Sequence, residues 1–268
     1  MDSIDTTTAP RRPFVLLPLY IYPTSASWEP LFQAAQYHPS LDFVVIVNPA
    51  NGPGDTPLPD NNYTAVLQTL SSISNVKILG YIYCNYGLRP VPGIERDIRT
   101  YQGWTDQKRS ITRIDGIFFD EVPSRTNECL EYMIRVSTIA RHNLPGGIVI
   151  YNPGVFVDVS CYDSADFIVA FENDISQWNS SDVKTNLAML PAELRGRSVA
   201  VAHSAKCSEE QLNFAEDVFM NAGFVGQFAA TVPGYTEWCP NWEPYIRKLH
   251  EACQAWQSGH EMNRSKTP

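Results

Sequence analysis

The sequence predicts an α/β protein of the (β/α)8 TIM-barrel class. Three observations carry this prediction: short apolar segments recur eight times, most are continuously hydrophobic, and helical patterns separate them. Continuous hydrophobicity is typical of parallel strands covered on both faces. Eight β–α units in a chain of 268 residues fit one barrel, which takes about 250 residues.

The predicted strands follow one another at regular intervals. They cover residues 13–20, 42–49, 76–83, 114–121, 146–154, 165–173, 197–204 and 222–232. An open, doubly wound sheet is the competing architecture, but no Gly-x-Gly-x-x-Gly motif follows any of these strands. The barrel is therefore favoured.

Helical patterns occupy most of the intervals between strands. Residues 124–142 repeat apolar side chains at helical spacing, among them Met133, Val136 and Ala140, and residues 240–257 form a plausible closing helix. Between strands five and six only PGVFVDVSCYDSA intervenes. This interval is too short for a full helix, so we expect an abbreviated helix there.

A single domain is predicted at residues 13–257, with polar tails at 1–12 and 258–268. No run of about 18 apolar residues exists, so no membrane-spanning segment is expected. The first residues lack the apolar region of a signal peptide. We expect a cytoplasmic protein if the chain is complete, and a secreted or cell-wall-associated one if a leader was removed.

Composition excludes several classes of function. The formal net charge of −9 argues against a nucleic-acid partner, which requires a basic face to neutralise phosphates. The six cysteines are scattered without a Cys-x-x-Cys pair, and no His-x-His or Glu-x-x-His cluster is present. We therefore expect no metal and no cofactor, and a protein that acts as a monomer.

Polar and aromatic residues crowd the carboxyl ends of the predicted strands, where barrels of this class place their active sites. Carboxylates supply chemistry, amides bind hydroxyls, and flat rings cover the apolar faces of sugars, so the pattern favours a carbohydrate site. The predicted substrate-binding residues are Tyr20, Tyr22, Asn48, Tyr81, Tyr83, Asn85, Tyr151, Asn152 and His203.

The stretch IDGIFFDEVPS ends a predicted buried strand on two adjacent acids, Asp120 and Glu121. Side chains alternate between the two faces of a strand, so both acids cannot point into the barrel while the strand is regular. The alternation with Phe118 and Phe119 directs Asp120 inward and leaves Glu121 at the rim or under a loop. The alternative is a structural role, in which Asp120 and Glu121 precede a helix and stabilise its N-terminus, the positive end of the helix dipole.

The same argument applied to strand six directs Glu172 inward, because the bulky Phe167 and Phe171 suit the layer under the helices. Strands four and six are two steps apart, or roughly 9 Å at about 4.8 Å per step, so the carboxyls of Asp120 and Glu172 could approach to about 5–6 Å. That distance is nearer the separation in retaining glycosidases than in inverting ones.

Five segments together, VLLPLYIYP, FVVIVNPANGPG, ILGYIYCNYG, IDGIFFDEVP and DFIVAFEN, resemble the spherulin-4 family, glycoside hydrolase family 135. The resemblance extends over nearly the whole chain. It implies a (β/α)8 glycosidase of fungal or microbial origin that cleaves α-1,4-linked galactosaminogalactan internally, at N-acetylgalactosamine regions. The acids conserved in the family correspond to Asp120, Glu121 and Glu172.

The predicted function is therefore metal-independent hydrolysis of an amino-sugar polysaccharide. Glu172 is predicted as general acid/base, Asp120 as nucleophile, and Glu121 as a residue that tunes its neighbours. Within this chemistry, substrate-assisted catalysis through the N-acetyl group is an alternative. A non-catalytic carbohydrate-binding or cell-wall-associated barrel protein is the alternative from another class, and a different hydrolase on the same fold is a third.

Overall fold

The computed structural model describes residues 12–24, 26–105, 112–124, 126–204, 208–231 and 234–264. Eight parallel strands pair in chain order and close into a barrel, which confirms the predicted fold class. The strands are β1 (Phe14–Leu19), β2 (Asp42–Val47), β3 (Val76–Tyr83), β4 (Gly116–Asp120), β5 (Ile148–Asn152), β6 (Phe167–Asp174), β7 (Ser198–His203) and β8 (Gly226–Ala229).

Helices surround the barrel and connect successive strands. They are α1 (Glu29–Tyr37), α2 (Asn61–Ser71), α3 (Val91–Trp104), α4 (Thr126–Asn143), α5 (Ser181–Met189), α6 (Ala192–Arg195), α7 (Ser208–Glu216) and α8 (Trp242–Arg264). A π-helical turn, Asp217–Ala222, continues α7. In the described part of the chain, no helix combines the length and the apolar character that a membrane span requires.

The interval between β5 and β6 contains the predicted abbreviated helix, a single 3-10 turn at Val159–Asp163. Tyr162 in this turn is buried, and its hydroxyl lies 2.7 Å from the Ser198 hydroxyl on β7. The Arg197 guanidinium lies against the Tyr162 ring and donates to the Ala165 carbonyl at 2.5 Å. A few well-packed side chains thus cover the strands where a full helix is missing.

Ordered structure extends slightly beyond residues 13–257. Helix α8 continues to Arg264, so residues 258–264 are helical. At the other end, Arg12 forms a two-pronged ion pair with Asp42 at the start of β2, with contacts of 2.6 and 2.8 Å. Residues 1–11 and 265–268 lie outside the described residues.

Strand β6 contains an irregularity that matters for the site. Val169 pairs with Val199 and Phe171 pairs with Ala200, so Ala170 is an extra residue in a β-bulge. Before the bulge, the Phe167 ring packs against Phe14 of the non-neighbouring strand β1, with centroids 5.1 Å apart, and therefore lies inside the barrel. The bulge reverses the alternation for every residue that follows it.

Candidate active site

Three consecutive strands bring two acids and an amide together at the mouth of the barrel. Asp120 ends β4, Asn152 ends β5, and Glu172 lies near the end of β6. The Asn152 Nδ2 group donates to Asp120 Oδ1 at 2.7 Å and to Glu172 Oε2 at 2.5 Å. The Gly154 N–H donates to Asn152 Oδ1 at 2.9 Å, which fixes the amide with its two hydrogens toward the acids.

The shared nitrogen sets the separation of the two carboxyl groups. Since both facing oxygens contact the same atom, Asp120 Oδ1 and Glu172 Oε2 lie no more than about 5.2 Å apart, which is below the separation of about 6.5–9.5 Å in inverting glycosidases and compatible with the shorter one in retaining glycosidases.

Tyrosine hydroxyls occupy the remaining oxygen of each acid. Tyr81 donates to Asp120 Oδ2 at 2.7 Å, and Tyr235 donates to Glu172 Oε1 at 2.6 Å. The ring of Tyr20 stands edge-on to both of these tyrosines, with centroid distances of 5.6 and 5.8 Å. All four carboxyl oxygens of the pair therefore have a hydrogen-bond donor, and an aromatic wall lies beside them.

Burial raises the pKa of both acids. For Asp120, hydrogen bonds from Tyr81, from the Glu121 N–H and from Asn152 lower the pKa and oppose this effect. For Glu172, bonds from Tyr235 and Asn152 oppose it, while the negative charge of Asp120 raises the pKa further. Burial and the adjacent acids raise the pKa of the Tyr81 and Tyr235 phenols well above the ordinary value, so both tyrosines remain donors.

Glu121 adopts a left-handed backbone conformation, with φ of 49°. Strand alternation ends at this residue, and the Glu121 carboxylate accepts a hydrogen bond from the Tyr83 side chain. Partial burial and the charge of Asp120 raise the pKa of Glu121. A non-glycine residue held in this backbone region next to an acid pair is typical of a functional site.

The bulge at Ala170 gives Glu172 its direction. Phe171 packs against Trp178 outside the barrel, with ring centroids 5.1 Å apart, whereas Phe167 lies inside, so the two rings face opposite sides. The prediction that both lie under the helices is wrong for Phe167. Glu172 nevertheless points to the mouth, because the bulge shifts the alternation by one residue.

One predicted substrate-binding residue lies away from the mouth. Tyr151 is buried under α4, where its hydroxyl donates to the Met133 carbonyl at 3.0 Å and lies 2.9 Å from the Ser164 hydroxyl. The prediction for Tyr151 is therefore wrong: it neighbours Asn152 in one regular strand, and adjacent residues face opposite sides. Asn152 itself donates both amide hydrogens to the acids.

Four other predicted substrate-binding residues lie at or just beyond the carboxyl ends of their strands. Tyr22 is half exposed and its hydroxyl donates to Asp60 at 2.9 Å. Asn48 accepts from the Gly52 N–H at 3.2 Å, and His203 lies 3.2 Å from the Ser204 hydroxyl. Asn85 begins a left-handed turn. These contacts shape the loops around the acids.

Tyr235 is the site residue that the sequence analysis missed. It lies in the loop beyond β8, where its φ of 54° places it in the left-handed region. Its only sequence signal was its place in PGYTEW, just past the eighth apolar segment. Among the described residues, no group of three or more histidine, cysteine, aspartate or glutamate side chains is arranged to hold a metal ion.

Comparisons with known proteins agree with the fold. The crystal structure of Aspergillus clavatus Sph3 in complex with GalNAc superposes with a TM-score of 0.80 and 28% identity, covering 89% of this chain and 98% of that one. Spherulin-4 of Physarum polycephalum is 30% identical over 174 residues, 65% of this chain but 47% of that protein, so the match spans about half of the relative's length.

These likenesses support a carbohydrate-active barrel protein of the glycosidase kind. The predicted resemblance to spherulin-4 is confirmed, since the model of one family matches residues 14–249. The chain belongs to spherulation-specific family 4.

Proposed function

We propose that the protein is a retaining glycoside hydrolase that cleaves internal α-1,4 linkages of a polysaccharide containing galactosamine and N-acetylgalactosamine. The observation that carries the proposal is the pair Asp120 and Glu172, held by one amide within about 5.2 Å. Inverting enzymes need about 6.5–9.5 Å to admit a water between the carboxyl groups.

The surroundings of the two acids support a different role for each. Asp120 accepts from Tyr81, Asn152 and the Glu121 N–H, and these donors stabilise its ionised form. Glu172 is buried next to that negative charge, which favours its protonated form. Asp120 is thus suited to attack the anomeric carbon, while Glu172 gives its proton to the departing oxygen.

The second half of the reaction uses the same groups. Glu172, now ionised, takes a proton from water, whose oxygen attacks the glycosyl–Asp120 ester and releases Asp120. Glu121 contributes negative charge beside Asp120 and accepts a hydrogen bond from the Tyr83 side chain. Tyr20 packs edge-on against Tyr81 and Tyr235, and these three rings form an aromatic wall beside the acids.

One similar structure and the family resemblance support the choice of substrate. Sph3, the similar structure, was crystallised in complex with GalNAc. The family resemblance implies a galactosaminogalactan-like polymer as the substrate. Turnover of a deacetylated linkage distinguishes attack by Asp120 from substrate assistance by the N-acetyl group. Such a linkage has no N-acetyl group, so its cleavage with retention requires a carboxylate nucleophile.

Cleavage of α-1,4-linked N-acetylgalactosamine oligomers, followed by mass spectrometry of the products, tests the proposal. We expect Asp120→Asn and Glu172→Gln each to lower the rate at least about 100-fold, within the range for loss of acid–base groups. Glu251→Gln, a change of an exposed acid on α8, is the matched control and should retain the wild-type rate. Wild-type rates in folded Asp120→Asn and Glu172→Gln would refute the site, and binding without cleavage by the wild type would indicate a non-catalytic sugar-binding protein.

A further inference from the structure

The turn after β3 has an unusual backbone. Three consecutive residues are left-handed: Asn85 with φ of 48°, Tyr86 with φ of 51°, and Gly87 with φ of 84°. Residues other than glycine visit this region singly, since the Cβ atom crowds the following carbonyl. A run of this kind costs free energy and persists only where its surroundings fix it, most often at functional sites.

Hydrogen bonds fix this turn to the strand end that carries the acids. The Tyr86 N–H donates to the Glu121 carbonyl at 2.6 Å, and the Cys84 N–H donates to the Asp120 carbonyl at 2.9 Å. At Gly87 an added Cβ would lie 3.2 Å from the Pro123 ring, which leaves little room for a larger residue. The backbone of Tyr86 is therefore held rigidly beside Asp120 and Glu121.

The side chain of Tyr86 is exposed in spite of this rigid backbone. Its exposed fraction is 62%, and that of the nearby Leu88 is 77%. Tyr20, Tyr81 and Tyr235 at the same mouth are largely buried, and two of them bond to the acids. The charge of Glu121 raises the pKa of Tyr86, with smaller effects from Asp120 and Glu172, so the Tyr86 phenol lies within the field of all three acids.

We propose that Tyr86 is an aromatic platform that stacks on a sugar ring of the polymer, in a subsite adjoining the position cleaved by Asp120 and Glu172. The inference rests on the proposed function and extends it to a residue that nothing else assigns. A rigid, exposed ring beside an acid pair provides the flat apolar surface that carbohydrate rings cover. Galacto-configured sugars suit it, because their axial C4 hydroxyl leaves the opposite face lined by C–H groups.

A platform outside the cleavage position acts mainly on binding. Its contribution requires a substrate long enough to reach it, so removing the ring should raise KM more than it lowers kcat, and the loss should grow with oligomer length. The hydroxyl is not needed for stacking, so phenylalanine should preserve the effect.

The test compares Tyr86→Ala, Tyr86→Asn and Tyr86→Phe with the wild type on α-1,4 N-acetylgalactosamine oligomers of increasing length. Asparagine tolerates the left-handed backbone and removes the ring, which separates loss of stacking from a misfolded turn. We expect kcat/KM on the longest oligomer to fall about 10-fold for the Ala and Asn variants, chiefly through KM, and to remain within about twofold for Phe. Tyr37→Ala, at an exposed tyrosine that ends α1, is the matched control.

Unchanged kinetics in folded Tyr86→Asn would overturn the proposal of a platform. A decrease confined to kcat and equal for oligomers of every length would overturn it as well. A second measurement needs no turnover: calorimetry compares the oligomer affinity of the single variant Glu172→Gln with that of the double variant Glu172→Gln, Tyr86→Asn. If the wild type cleaves nothing but Tyr86→Asn still weakens binding, the proposed hydrolysis fails and the platform stands. If the single and the double variant bind the oligomer with equal affinity, the proposal of a platform at Tyr86 fails.

Discussion

Replacing Asn152 by leucine removes two hydrogen bonds at once and keeps a side chain of similar size. In the wild type, the Asn152 amide donates to Asp120 at 2.7 Å and to Glu172 at 2.5 Å, and both acids are largely buried. The substitution leaves each facing oxygen without this donor. Because the bonds favour the ionised acids, their loss must raise the pKa of the pair.

The size of the effect follows from the strength of the bonds. A hydrogen bond to a charged group contributes about 1.5–3 kcal/mol, and 1.36 kcal/mol corresponds to one pKa unit. Loss of one such bond from each acid therefore predicts a rise of about one unit or more in the apparent pKa values of the pair, which titrates as a unit.

The assay is the pH dependence of kcat/KM on an N-acetylgalactosamine oligomer. The acidic limb of this profile reports ionisation of the nucleophile in the free enzyme, so it should move to higher pH by about one unit in Asn152→Leu. Asn186→Leu, a change on the surface of α5, is the control and should leave the profile in place. An acidic limb that stays at its wild-type pH in a folded Asn152→Leu protein would refute the bridge.

Three further predictions concern stability and positioning. Burial raises the pKa of Glu172 above its value in the unfolded chain, so the folded state binds more protons between the two pKa values. The stability of the wild type therefore falls as the pH rises through that window. Glu172→Gln should raise the Tm measured by calorimetry at neutral pH, and the difference from the wild type should vanish below about pH 4. Tyr235→Phe should lower kcat about 10-fold with little change in KM, because Tyr235 orients Glu172 through one bond of 2.6 Å. Gly116→Ala should lower the free energy of unfolding, measured in urea, by more than about 3 kcal/mol, since the new Cβ would lie 2.0 Å from the Ile148 carbonyl oxygen. In the control Gly103→Ala, the new Cβ meets nothing within 4 Å, so this change should be neutral or stabilising.

Each of these has a contrary outcome. A lower Tm for Glu172→Gln at neutral pH would show that the ionised acid stabilises the fold. An unaltered kcat in Tyr235→Phe would remove Tyr235 from the site. Equal stability of Gly116→Ala and Gly103→Ala would contradict the close approach of β4 and β5.

The fold was predictable because continuous apolar runs are a direct consequence of strands buried on both faces. Once eight such runs are aligned, the carboxyl end of each strand becomes known, and Asp120 and Glu172 fall on the same rim, two strands apart. Regular alternation was sufficient for Asp120, which points inward between Tyr81 and Asn152. The same rule, applied to β5, would have separated Tyr151 from Asn152.

The remaining features depend on irregular backbone that composition does not encode. The bulge at Ala170 reverses the faces of β6, so Glu172 reaches the mouth although the inference from Phe167 was wrong. Tyr235 and Glu121 depend on left-handed residues in loops, where no periodicity exists. These positions are fixed by tertiary hydrogen bonds, such as the one that joins Tyr235 to Glu172 across the mouth.

The anomeric configuration of the first product tests the central claim most directly. The claim is that Asp120 and Glu172 lie close enough for a double displacement, with no water between them. Proton NMR during cleavage of an α-1,4 N-acetylgalactosamine oligomer should show the α-anomer first, with the β-anomer appearing only through slow mutarotation. Initial release of the β-anomer, or no cleavage of the oligomer by the folded protein, would contradict the account.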